Sequence, residues 1–143
     1  MQFHLNEGSF TLPDGLRDNS MNMLLTGHSG LDLSLIITRD RLEPGESFEA
    51  FVDRQIKAVT LQVSKFSIQE KHAQKAPDRD DTIAVELAQQ FTQNGQVIHQ
   101  RQRTWLLPDA ASVLVLTAAS AAPITDAQKN AWLAICASFQ PRH

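Results

Sequence analysis

Apolar and polar residues alternate through most of this chain, and the place where the alternation breaks is the most informative. From Ser20 to Arg39 the sequence reads SMNMLLTGHSGLDLSLIITR, which predicts two strands joined by a Gly-containing turn. Side chains on a strand alternate between faces with period two. Met21, Met23 and Leu25 therefore share one side of the first strand. In the second, Leu33, Leu35 and Ile37 form one row, and Ser34, Ile36 and Thr38 form the other. A half-solvated antiparallel strand should alternate apolar with polar residues. Here the second row holds isoleucine and small hydroxyls in place of Lys or Glu, so that face should be covered by a helix or by a partner.

The remaining elements follow from the same reading. Phe3 and Leu5, then Phe10 and Leu12, alternate about Glu7-Gly8 and predict a short hairpin, which Pro13-Asp14-Gly15 ends. After the loop Leu42–Glu46, Phe48, Phe51, Val52, Val59 and Val63 recur at helical spacing from Ser47 onward. Gln55 interrupts that stripe, and a buried amide needs a partner, either backbone or another molecule. Phe66-Ser67-Ile68 begins a strand that turns polar through Gln69 to Lys75, and Pro77 to Asp81 reads as a solvated turn, since its acids lack calcium-loop spacing.

Thr82 to Leu107 is the clearest hairpin, because Asn94-Gly95 is a strong two-residue turn signal. Taken as the register, that turn sets Thr92 opposite Val97, Phe91 opposite Ile98, Leu87 opposite Gln102 and Glu86 opposite Arg103. One face then carries Ile83, Val85, Leu87, Phe91, Ile98 and Leu106 with Gln89, Gln100, Gln102 and Thr104 among them. The other carries Glu86, Gln90, His99, Arg101 and Arg103. Ala111 to Ala118 is a further strand, and Thr125-x-x-Gln128 is a capping box opening a helix with Trp132, Ile135, Cys136 and Phe139 on one stripe. Strands, a helix, strands and a helix in that order predict an α+β fold with one mainly antiparallel, twisted sheet flanked by helices.

Composition narrows this further. A length of 143 residues predicts one domain, residues 1–143, able to bury its own core. The net charge of −3 gives no basic stripe for nucleic acid. Cys136 is the single cysteine, so no intrachain disulfide can form, and its place on the helix stripe predicts a core residue. The N-terminal MQFHLNEGSF has neither the basic nor the apolar region of a signal peptide, and no run is long enough to span a membrane. A soluble cytoplasmic protein is the expectation.

Chemistry is sparse. None of His4, His28, His72, His99 and His143 falls in a metal motif such as H-E-x-x-H, and neither a phosphate loop nor a nucleophile elbow is present. A binding protein without cofactor or metal is therefore expected, and not an enzyme.

Several segments arriving in order, LNEGSFTLPDG followed after four residues by SMNML, then LSLIITRD, FEAFVDRQI and NGQVIHQRQ, resemble the Eag family of type VI secretion chaperones. That family belongs to a wider PsbP-like group that includes the DcrB proteins. The resemblance implies a PsbP-like sandwich and a cytoplasmic homodimer without stable membrane insertion. It further implies an adaptor that holds the N-terminal transmembrane and pre-PAAR region of an effector in an apolar groove until the effector is loaded onto the VgrG spike. Carried over position by position, the groove residues fall at Met21, Met23, Ser34, Thr38, Gln55 and Gln102, with Ile36 in the row between Ser34 and Thr38. Methionine stands where the family has isoleucine, threonine where it has one serine, and the Asp78–Asp81 loop lacks the family's glycine. These positions coincide with the breaks in the alternation. Membrane helices pack through small and polar residues, so hydroxyls and amides on an apolar floor suit them. The alternatives are a module of the same fold that binds a soluble partner, or a protein that binds a lipid or small molecule.

Overall fold

The structure, a computed structural model, describes residues 2–5, 8–14, 21–25, 33–77 and 81–141. Its elements run β1 (Gln2–Leu5), β2 (Gly8–Thr11), β3 (Asn22–Leu25), β4 (Ser34–Arg41), α1 (Phe48–Thr60), β5 (Ser64–Lys75), β6 (Thr82–Gln93), β7 (Gln96–Leu106), β8 (Ser112–Ser120) and α2 (Asp126–Ala137). β1 and β2 pair as a separate hairpin, and the other six strands form one antiparallel sheet in the order β3-β4-β8-β7-β6-β5. The expected α+β class is observed. The turn containing His28, the residues Asp78, Arg79 and Asp80, the turn residues Glu7 and Gly15, and His143 lie outside the described residues.

Local chemistry fixes the elements. Asn94 at φ 53° and Gly95 at φ 77° form the left-handed pair that a two-residue hairpin turn requires. The β6–β7 register is the one this turn dictates, with Glu86 opposite Arg103 and Leu87 opposite Gln102. At the β7–β8 turn, Asp109 accepts hydrogen bonds from the Ala111 and Ser112 N–H groups (2.9 and 2.7 Å) and from the Ser112 hydroxyl. These bonds hold its carboxyl down at about 2. Ser47 caps α1 by accepting from the Ala50 N–H at 3.1 Å. The Thr125–Gln128 capping box of α2 is complete in both directions. α1 stops at Thr60, whose hydroxyl donates back to the Lys57 carbonyl at 2.7 Å. Val63, expected on the helical stripe, therefore lies beyond the helix.

The sheet is covered on both faces. α1 seats Phe48, Phe51 and Val52 on Val85, Leu87 and Val113. α2 seats Trp132 and Cys136 on Leu33, Leu35, Leu116 and Ala118 on the opposite face. The two edges differ. β5 is long, carries Lys65, Lys71, His72 and Lys75, and shifts register three times against β6. β3 has four residues and no charge.

The row Glu86, Arg101 and Arg103 faces α2, so this polar side of the hairpin is interior. Glu86 is only 7% exposed, and it accepts from Arg101 Nη2 (3.2 Å), Arg103 Nε and Nη2 (3.1 and 2.6 Å) and Trp132 Nε1 (3.0 Å). Arg101 also donates to Glu70 of β5 at 3.0 Å, and Lys129 of α2 lies 3.7 Å from the same carboxylate. Burial pushes the Glu86 carboxyl up, but the bonds from Trp132, Arg101 and Arg103 outweigh it and hold the group below its ordinary 4.5.

A carboxyl depressed in the folded state contributes stability that is present above its unfolded value and lost as pH falls through the folded one. Denaturant titrations should therefore show stability declining below pH 4.5, the ordinary carboxylate value, with Glu86→Gln flattening that decline. At neutral pH the same variant leaves buried arginines short of a counter-charge and should cost roughly 3–5 kcal/mol. Cys136, whose thiol burial raises to about 11, should resist alkylation at pH 8 until the protein is unfolded.

Candidate functional site

Opposite residues in an antiparallel ladder share a face, so the pairings place side chains across the sheet. Met23 pairs with Ile36, Ile36 with Thr117, Thr117 with Gln102, and Gln102 with Leu87. These residues form one row crossing five strands on the face that carries α1. On one side of it runs Thr38, Val115, Thr104 and Val85, and on the other Ser34, Ala119, Gln100 and Gln89. Met21 directly precedes β3 and continues its odd-numbered series.

α1 covers only part of this face. Under it, Val85, Leu87 and Val113 are buried, whereas Ser34, Ile36, Thr38, Gln102 and Thr117 remain half-exposed. At the rim, Met21 and Met23 are 60% and 59% exposed. The uncovered patch spans three strand gaps from Met23 to Gln102, roughly 14 Å, and about the same from Ser34 to Thr38 along β4. An α-helix with its side chains is about 10–12 Å across, so one helix fits this width.

The patch is uncharged. None of the three rows between β3 and β7 contains an ionisable side chain. Its polar groups are partly paired with each other: Gln102 Nε2 donates to Thr117 Oγ1 at 3.1 Å, and Gln89 Nε2 to Gln100 Oε1 at 2.7 Å. The hydroxyls of Ser34 and Thr38 and the amide of Gln55 make no side-chain hydrogen bond to another described residue.

The structure thus gathers Met23, Ser34, Ile36, Thr38 and Gln102 on one side of the sheet, with Met21 beside them. Gln55 stands apart on α1, half-buried and without a bond to the sheet. Thr117, Ala119 and Gln100 complete the floor. Thr117 was hidden within the β-rich run ASVLVLTA because only the β4–β8 and β7–β8 registers set it between Ile36 and Gln102. No cluster of His, Cys, Asp or Glu able to hold a metal occurs among the described residues. No helix among them is long and apolar enough to cross a membrane.

Comparison with known proteins agrees with the architecture. No curated protein sequence matches the chain. The fold is similar to the crystal structure of PA94, a Pseudomonas aeruginosa protein of unknown function, with a TM-score of 0.76 and 23% identity. That superposition covers 100% of this chain and 97% of PA94. The sequence profile of the DcrB family matches residues 7–138. This chain therefore belongs to the DcrB family.

Proposed function

We propose that this DcrB-family protein is a chaperone and adaptor of the Eag type, acting in type VI secretion. It binds the N-terminal transmembrane helices and pre-PAAR segment of an effector and keeps them out of water until the effector reaches the VgrG spike. The observation that carries this reading is the uncharged, half-open patch from Met23 to Gln102, a helix wide and set with hydroxyls and amides on an apolar floor. A membrane helix presents an apolar surface with occasional small and polar residues, and such a floor offers both apolar contact and hydrogen-bonding groups.

Magnitudes favour a pair of protomers. A patch of roughly 200 Å², at about 25 cal/mol per Å², yields on the order of 5 kcal/mol. That only matches the lower end of the association cost, about 4–15 kcal/mol. A transmembrane helix of some 20 residues is also about 30 Å long, twice the patch. Two copies of the patch cover the length and double the gain, which supports a homodimer as the working form. In this reading the protein binds and does not catalyse.

The test is co-expression with the N-terminal region of an effector that has apolar segments, followed by purification without detergent. The client should stay soluble only in the presence of this protein. Met23→Asp should abolish co-purification while shifting folding stability by no more than about 0.5 kcal/mol, as expected at an exposed position. A client that is soluble alone, or that still co-purifies with the variant, would overturn the proposal and favour a soluble partner.

A further inference from the structure

The opposite face of the sheet carries a second, unrelated feature at its β5 side. A cavity of ≈ 200 Å³ is lined by His72, Ala73, Gln74, Ala84, Glu86 and Arg103. It adjoins the Glu86 network, whose charges do not balance. Among the described residues, two carboxylates, Glu70 and Glu86, stand against three cations, Arg101, Arg103 and Lys129. Both carboxyls are held below their ordinary values, so both are ionised at neutral pH, and the cluster keeps one positive charge in excess.

The geometry of Arg103 locates a free binding edge. Its Nε and Nη2 both donate to the same oxygen, Glu86 Oε1. That uses the side edge of the guanidinium and leaves the end edge, Nη1 with the second N–H of Nη2, without a partner among the described residues. A guanidinium edge presents two parallel N–H groups that fit a carboxylate in a fork. Arg103 is partly accessible, with 19% of its side chain exposed. Beside it, the Gln74 amide makes no hydrogen bond to another described residue, and the only described partner of His72 is Glu70 at 3.8 Å. Ala73 and Ala84 add no bulk that would fill the space.

We infer that this cavity binds a small monocarboxylate, held by the end edge of Arg103 and contacted by Gln74 and His72. One negative charge cancels the cluster's excess, whereas a phosphate dianion would set a second negative charge against Glu86. The site faces away from the Met23–Gln102 row, so it stands or falls independently of the chaperone reading.

The experiment is an amide-shift NMR titration of the full chain with propanoate at constant ionic strength, with chloride and inorganic phosphate in parallel. Propanoate should give saturable shifts at His72, Gln74, Ala84 and Arg103 and leave the Met23 and Ile36 amides unmoved. Arg103→Lys keeps the charge but loses the fork, and should weaken binding roughly tenfold or more. The double variant His72→Ala/Gln74→Leu alters only exposed residues of β5 and should weaken it at least about fivefold. It decides the matter where Arg103→Lys does not fold. The inference is overturned if propanoate shifts do not saturate, if chloride or phosphate binds as tightly, or if the double variant binds unchanged.

Discussion

A single buried carboxylate constrains this fold more than any apolar contact. Glu86 is buried beside α2, and every one of its four hydrogen bonds comes from a charged or polar donor on β7 or α2. A carboxylate out of water is tolerated only while such donors surround it, so the strands that supply them cannot slide. Slipping β7 by one residue would turn Arg101 and Arg103 to the wrong face and strand Glu86 without counter-charge. The same slip would move Gln102 and Thr104 off the α1 face. The polar lock on one side of the sheet therefore determines where the candidate groove lies on the other.

That coupling explains which parts of the molecule were legible in the sequence. The Asn94-Gly95 turn is local, and its φ requirement alone gives the β6–β7 register and the Glu86–Arg103 pair. The Ser47 and Thr125 caps are equally local. The anomalous row Ser34, Ile36 and Thr38 was visible because β4 alternates wrongly for a solvated strand. What the sequence could not show is non-local. β4 pairs with β8, almost eighty residues later in the chain, and no turn dictates that register. Without it, Thr117 cannot be set between Ile36 and Gln102, and the width of the patch stays unknown. Nor does the alternation show that Glu86 and Arg101 are buried, since that depends on Trp132 arriving from α2.

The patch's chemistry is restrained in a way that would suit the intermittent occupancy proposed for it. A purely aliphatic floor of this width would be an aggregation hazard when empty. Here the Gln102–Thr117 and Gln89–Gln100 bonds hold part of the polar capacity in place without a client. The side chains left uncommitted are Ser34 and Thr38, in the β4 rows on either side of Ile36, and Gln55 on α1. Methionine at the rim adds a flexible, polarisable surface that can accommodate apolar partners of differing shape. Belonging to the DcrB family fixes the scaffold, and the groove's residues are what the chaperone proposal rests on.

The unlike edges of the main sheet have a consequence for assembly. β5 repels an added strand through its lysines and its three register breaks, whereas β3 presents a short uncharged edge. Among the described strands the main sheet thus has one receptive edge, and a strand that docked there would use up that site. Edge-to-edge association of two copies would close on itself by a two-fold axis and stop, giving a finite particle instead of a fibre. It would also extend the apolar face carried by Met23 without creating a new end.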